Sequence, residues 1–242
     1  MRSFPSLCPK SPCQRGRVSG CLLSLILRDV TGKMFDTLML GSGALWTLTY
    51  LLIIRRGLLD RTYGMPLVAL CANISWEFIF SFLYSHGPVQ RPVNIVWFSL
   101  DLVILFQMLR YGPSEFGDLS KRAFYAMFGL ALATSFCAVL SVTYEFDDWD
   151  GAYSAFGQNL LMSVLFWAML RVRGSPRGQS VSIALSKMLG TGLASLAFYL
   201  YSPLSAGSIL LPFLYVAIVT FDLIYVFAMA RAQSTVGSRT KR

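Results

Sequence analysis

The chain has 242 residues, of which 55% are hydrophobic and 14% charged. A water-soluble domain carries about 25% charged residues, so this composition excludes an ordinary soluble fold and indicates a polytopic membrane protein of one domain. The net charge of +9 sits in connectors and tails, where it reports topology and lipid contact rather than binding to nucleic acid.

Residues 1–33 differ from the rest. They hold six of the 21 Lys and Arg, three prolines and three cysteines, and their one apolar run, Cys21 to Leu27, is too short to span a bilayer. No signal-peptide pattern is clear there. The expectation is a basic, disordered tail, with Met34 as the alternative start of the chain. Residues 34–231 form the membrane domain, and 232–242 form a basic C-terminal tail.

Seven apolar segments follow the tail, near 35–54, 65–84, 93–110, 122–143, 152–171, 181–200 and 206–230. The fold class is all-α, a bundle of seven transmembrane helices. A run of about 20 apolar residues at 1.5 Å rise crosses a hydrocarbon core of about 30 Å. The connectors carry turn chemistry: Arg55-Arg56-Gly57, His86-Gly87-Pro88, Tyr111-Gly112-Pro113, Asp147 to Gly151, Gly174-Ser175-Pro176 and Tyr201-Ser202-Pro203. Alternate connectors and the C-terminus are rich in arginine, with Arg55, Arg56, Arg61, Arg110, Arg171, Arg173, Arg177 and Arg231 on one side. The other side offers Arg91 against Glu145, Asp147, Asp148 and Asp150. The positive-inside rule then places the C-terminus in the cytoplasm. The acidic run 147–150 reads as a solvated turn on the exterior face.

Within the spans, charged residues are few and therefore informative. Glu77 is the only formal charge in the run Met65 to Tyr84. A carboxyl group at the centre of a spanning helix costs about 2.5–3.5 kcal/mol on insertion scales, so such residues mark functional sites by default. Asn73 stands four residues before Glu77 and shares its face, with Trp76 beside them. Asp101 lies in the third span, with Trp97 one turn before it, and Asp222 lies in the seventh, with Tyr225 one turn after it. Counting about 1.5 Å per residue from the segment ends puts Glu77 and Asp101 near one depth and Asp222 somewhat lower. Three acids, each with an aromatic one turn away, predict a single interior cavity. Lys187, about two turns into the sixth span, reads as a side chain that snorkels to the surface.

No metal-ligand spacing is present. There is one histidine, His86, and five scattered cysteines, of which Cys71 and Cys137 fall in apolar runs. A carboxyl group in a low-dielectric pocket keeps its proton and can deliver it to an electron-rich apolar substrate. Aromatic faces then hold the resulting cation, at about 2 kcal/mol or more per desolvated contact, and the exclusion of water protects it from quenching. A transporter or a seven-helix receptor using the buried acids as a relay or ligand site is the alternative. No lysine stands in the seventh span to carry a retinal Schiff base.

Several stretches, taken in order, resemble a family. They are Thr62-Tyr63-Gly64-Met65-Pro66, Cys71-Ala72-Asn73-Ile74-Ser75-Trp76-Glu77, Trp97-Phe98-Ser99-Leu100-Asp101, Tyr111-Gly112-Pro113-Ser114-Glu115-Phe116, Arg173-Gly174-Ser175-Pro176-Arg177-Gly178 and the lone Asp222. From about Phe35 to Arg231 the chain is similar to the small integral-membrane terpene cyclases of meroterpenoid and indole-terpenoid biosynthesis, known from fungi with bacterial relatives. The resemblance implies an isomerase- or lyase-type enzyme of class II-like protonation chemistry, without cofactor or metal. It would cyclise a prenylated (farnesyl or longer) aromatic or indole substrate, by epoxide opening or direct alkene protonation. It implies Glu77 and Asp222 as catalytic acids and Asp101 as a supporting acid; Asn73, Trp76, Trp97 and Tyr225 are candidates for holding substrate or cation. The partners implied are the lipid bilayer, an upstream prenyltransferase and, for an epoxide substrate, an epoxidase. The membrane would be the endoplasmic reticulum in a fungus or the cytoplasmic membrane in a bacterium.

Overall fold

The structure, a computed structural model, describes the backbone of residues 18–88 and 90–239, and the side chains of residues 30–88 and 90–235. The elements are α1 (Val18–Asp60), α2 (Leu67–Phe78), which continues as a π turn (Ile79–Leu83), α3 (Gln90–Glu115), α4 (Lys121–Glu145), α5 (Ala152–Arg173), α6 (Val181–Tyr201), α7 (Pro203–Ala206) and α8 (Leu210–Arg239). No strand occurs among the described residues.

Six helices among the described residues are long and apolar enough to cross a bilayer: the Val30–Asp60 part of α1, then α3, α4, α5, α6 and the Leu210–Thr235 part of α8. The expected second span is shorter than the sequence suggested. It comprises 12 residues of α2 and five of the π turn, about 25 Å at helical rise. Pro66, with ψ of 140°, stands ahead of the first helical turn, so Met65 and Pro66 do not lengthen the helix. At the other end the Tyr84 amide donates to the Ile79 carbonyl at 2.8 Å, five residues back.

Two expected boundaries shift. Residues 1–17 of the basic tail lie outside the described residues, but α1 is already helical from Val18. The apolar run Cys21 to Leu27 lies within this helix. At the other end α8 continues to Arg239, past the expected domain edge at Arg231.

The helices close into a ring. α1 packs against α6 and α3, α6 against α8, α8 against α5, α5 against α2, and α2 against α3; α4 lies over α2. Large apolar side chains such as Phe106, Leu130, Phe213, Val216 and Phe227 face outward, while Glu77, Asp101, Lys187 and Asp222 are buried. Apolar residues outside and ionisable residues inside is the arrangement that a lipid solvent selects. Cys71 is buried and Cys137 faces outward.

Local chemistry fixes the helix starts. Ser120 and Ser180 cap α4 and α6 through their hydroxyls, each 3.2 Å from the amide three residues on. At α5 the N-cap is Gly151, and the acceptor comes from Asp148, whose carboxylate accepts from the amides of Ala152 at 2.7 Å and Ser154 at 3.1 Å. The acidic run 147–150 is therefore not wholly solvated. Asp148 is buried because four orphan amides at the helix start need an acceptor.

Candidate active site

The first polar cluster forms where α1, α2, α3 and α5 meet. Asn73 and Glu77 face inward one turn apart on α2, as their spacing dictates. Tyr50 of α1 donates its hydroxyl to Glu77 Oε1 at 2.6 Å. The Asn73 amide nitrogen contacts the Tyr50 oxygen, Glu77 Oε1 at 3.1 Å and Asp101 Oδ2 at 2.8 Å. Gln158 Nε2 of α5 donates to the Asn73 side-chain oxygen Oδ1 at 3.4 Å. Asn73 thus bridges the two carboxyl groups. Glu77 Oε2 and Asp101 Oδ1 are buried without a hydrogen-bond partner. No cation touches either acid among the described residues. Trp97 borders the cluster: its ring centre lies 6.3 Å from that of Tyr50, and its indole N–H donates to Thr47 Oγ1 at 3.0 Å.

The second cluster forms where α5, α6 and α8 meet. Lys187 does not snorkel. It is fully buried, and its Nζ donates to Asp222 Oδ1 and to Ser163 Oγ, both at 2.7 Å. An ammonium with a carboxylate on a neighbouring helix at similar depth is satisfied in place, which removes the incentive to reach for water. Asp222 Oδ2 has no partner. Tyr225, one turn on, packs its ring 5.6 Å from Phe166 and leaves its hydroxyl unpartnered. The expected single cavity with three acids is thus two clusters, one holding Glu77 with Asp101 and the other holding Asp222. Aromatic rings join them: the centre of the Trp46 ring lies 6.0 Å from Lys187 Nζ and 6.0 Å from the centre of the Tyr50 ring.

Trp76 points elsewhere. Its indole N–H donates to the Gly151 carbonyl at 3.0 Å, and its ring packs against Phe80 and His86. Gly151 has a φ of +64°, and a Cβ there would lie 2.6 Å from Phe80 and 2.8 Å from the Trp76 nitrogen. Only glycine fits that corner. His86 stacks on Phe80 at 5.1 Å, pairs through Nδ1 with the Asn94 amide at 2.8 Å and through Nε2 with the Asp150 carbonyl at 3.0 Å. Burial pushes its imidazole below the usual value. Trp76 therefore anchors the connector between α4 and α5 and does not line the acids.

A third polar group lies at the end of the bundle where the 1–2, 3–4 and 5–6 connectors meet. Glu115 takes Arg173 Nη2 at 2.9 Å, Arg177 Nη1 at 3.2 Å and the Thr62 hydroxyl. Arg173 Nη1 also donates to the carbonyls of Tyr63 at 3.0 Å and Arg177 at 2.9 Å, and its guanidinium lies 4.1 Å above the Tyr63 ring. Asp60 accepts from Arg56 and from the Gly178 amide, both at 2.7 Å.

Sequence reasoning singled out Glu77, Asn73, Asp101, Trp97, Asp222 and Tyr225, and missed Tyr50, Gln158, Ser163 and the pairing of Lys187. The one signal available was electrostatic: a lysine and an aspartate in separate spans of a lipid-embedded chain are candidates for each other.

A ring of apolar helices enclosing two sets of buried ionisable groups defines a multi-pass membrane protein with an interior site. Its family follows from sequence comparison. Residues 30–235 match the Pyr4-like transmembrane terpene cyclases, and the chain belongs to that family. It is 34% identical over 173 residues to terpene cyclase pyr4 of Aspergillus fumigatus, covering 68% of this chain and 69% of that one. It is 32% identical over 206 residues to the Pyr4-family terpene cyclase mfmH of Annulohypoxylon moriforme, covering 81% and 85%. Asnovolin H synthase nvfL of Aspergillus novofumigatus is 30% identical over 162 residues, covering 64% and 66%. The alternative of a transporter or receptor gives way to a membrane terpene cyclase of terpenoid and meroterpenoid biosynthesis.

Proposed function

We propose that this chain catalyses the proton-initiated cyclisation of a prenylated aromatic or indole substrate, farnesyl or longer, with Glu77 as the general acid. The Glu77 O–H bond breaks and its proton passes to an epoxide oxygen or to the terminal alkene carbon. The C–O or π bond opens to a tertiary cation, which the π electrons of successive alkenes attack in turn. Loss of a proton from carbon to a base ends the cascade; that base releases the proton to solvent and Glu77 takes one up again, so the net reaction is an isomerisation. The proton rather than a metal starts the reaction in this reading.

The observation that carries the reading is the Glu77 cluster itself. The acid is buried, touches no cation among the described residues, is oriented through Oε1 by Tyr50 and Asn73, and shares its pocket with the Asp101 carboxyl. Such a carboxyl retains a transferable proton in low dielectric. Asp101 supports it through Asn73. Asp222, fixed by Lys187 and Ser163, offers a carboxylate oxygen toward the late cation and its departing proton. Tyr50, Trp46 and Trp97 supply aromatic faces between the two ends.

The topology that fits is seven crossings, with α2 and its π turn as the short second one and the C-terminus in the cytoplasm, as the arginine-rich connectors favour. In a fungal host the membrane is the endoplasmic reticulum. A prenyltransferase supplies the substrate, with an epoxidase where an epoxide is opened.

The test is Glu77→Gln in membranes of matched protein content, supplied with prenylated phenol and indole substrates, with and without a terminal epoxide. Positioned acid catalysis contributes 10²–10⁴-fold, so cyclised product should fall by about that factor. Near-normal product would remove Glu77 from the role of acid.

A further inference from the structure

The polar group at the connector end borders a cavity of about 660 Å³, whose walls include Tyr63, Leu67, Glu115, Phe116, Ala168 and Arg173. Neither Glu77 nor Asp222 lines it. The volume falls in the range of small-molecule sites, about 300–1,000 Å³, and the lining has the usual character of such sites: mostly apolar, with a few convergent polar groups. Three stretches that the acid chemistry leaves unused meet here: the connector carrying Thr62 and Tyr63, the end of α3 with Glu115 and Phe116, and the end of α5 with Arg173.

The lining chemistry selects a ligand. Tyr63 and Phe116 stack, with ring centres 6.1 Å apart and planes 20° apart, so this part of the wall is aromatic and favours a further ring packed against its edges. Arg173 spends Nη1 on two carbonyls and Nη2 on Glu115, while its Nε–H is buried without an acceptor. A ring carrying a hydroxyl or carbonyl oxygen supplies that acceptor. An indole offers only an N–H donor and does not.

Geometry links the cavity to the acid. Leu67, Leu70, Ile74 and Glu77 recur at three- and four-residue spacing and share one buried stripe of α2. Leu67 is in the cavity wall, and Glu77 stands ten residues further along, about 15 Å at helical rise. That is comparable with an extended farnesyl chain. A head group held in the cavity sets the far end of such a chain at the level of Glu77, and the far end is where a proton must be delivered.

We infer that this cavity is a head-group subsite, which holds the oxygen-bearing aromatic ring of the prenylated substrate while the terminal prenyl unit lies at Glu77. The inference rests on the cyclase reading above and adds to it a second site and a preference among ring types. Arg173 and the Tyr63–Phe116 pair act in specificity and not in proton transfer.

The experiment fills the cavity and varies the head. Ala168→Trp places an indole in the wall, and Leu161→Trp, on the same helix outside the cavity, is the control. Each is assayed in membranes with a farnesylated phenol, a farnesylated indole and a farnesyl chain lacking a ring, all bearing the same terminal epoxide. For the unaltered protein KM should be lowest for the phenol. Ala168→Trp should raise KM for the phenol at least tenfold more than it raises KM for the ringless chain, and its melting temperature in detergent should match that of Leu161→Trp, which shows that the fold is intact. Leu161→Trp should change none of these. An unchanged KM for the phenol, or an equal loss on the phenol and the ringless chain, overturns the subsite. Equal KM for phenol and indole in the unaltered protein overturns the ring preference. Unaltered protein that cyclises none of the three overturns the cyclase reading itself, and the subsite with it.

Discussion

Two interior clusters bury carboxyl groups within the spanning helices, and they stabilise them by different means. Glu77 and Asp101 sit among neutral partners, a phenol and two amides. Asp222 sits on an ammonium. The first arrangement places no cation against either acid among the described residues. The ionic arrangement fixes a carboxylate and leaves one oxygen open. In the proposed reaction the first cluster is the donor end and the second the acceptor end, with Trp46 and Tyr50 between them. The contrast teaches that acidic residues of one type, in one membrane interior, take their roles from what the neighbouring helices present to them.

The sharpest way to break this comparison is to remove the cation. Lys187→Met leaves Asp222 as an unpaired buried charge, which should lower stability in detergent by about 3–5 kcal/mol. Lys187→Met/Asp222→Leu removes both charges and should recover most of that loss, as followed by thermal unfolding. Neither variant should regain cyclised product. A double variant that stays as unstable as the single one would show that the pair is not an isolated ionic unit.

Tyr50→Phe probes the neutral end. It deletes the shorter of the hydrogen bonds to Glu77 Oε1 and keeps the ring beside Trp97 and Trp46. A hydrogen bond to a charged or reacting group is worth about 1.5–3 kcal/mol, so kcat should drop roughly 10- to 100-fold, with the melting temperature nearly unchanged. Unaltered turnover would leave the tyrosine a packing residue.

Asp101→Asn should do less. The amide oxygen of the new residue still accepts from Asn73, so the loss should stay within about tenfold, measured as initial rate per unit of protein. A collapse to background would promote Asp101 from support to direct participation.

The smallest effect concerns the connector that carries His86. His86 has its imidazole pushed below the usual value by burial, with the carbonyl of Asp150 and the charges of Asp150 and Asp148 acting in the opposite sense. The neutral form is favoured in the fold, so its contribution is complete above the unfolded value of about 6.5 and declines as pH falls below it. Between about pH 7 and pH 5 the melting temperature should decrease slightly, and His86→Gln should flatten that decline. An unchanged slope would place the responsible group elsewhere.

Much of this fold was legible before the structure. Uninterrupted apolar runs of about 20 residues have few alternatives to helices across a bilayer, because backbone groups in lipid must bond within their own segment. The same solvent makes each ionisable residue in a span conspicuous, so Glu77, Asp101 and Asp222 stand out by position alone. Asn73 and Glu77 could be placed on one face because four-residue spacing is a local property of a helix. The shortness of α2 was less legible, since the influence of Pro66 and the π turn is lost in hydropathy averaged over a window.

What lies between helices was decided by tertiary packing. Tyr50 is one hydroxyl in an apolar run, and no local rule says that it meets an acid 27 residues later. Lys187 snorkels or pairs according to whether α8 brings a carboxylate to it, and the approach of α8 to α6 is a long-range contact that periodicity does not encode. Trp76, adjacent to Glu77 in sequence, turns from the acids to the Gly151 carbonyl because neighbouring residues on a helix point about 100° apart. Local spacing determines which face a residue occupies. Only the closed ring of helices determines what that face meets, and therefore which buried acid pairs with a lysine and which with a phenol and amides.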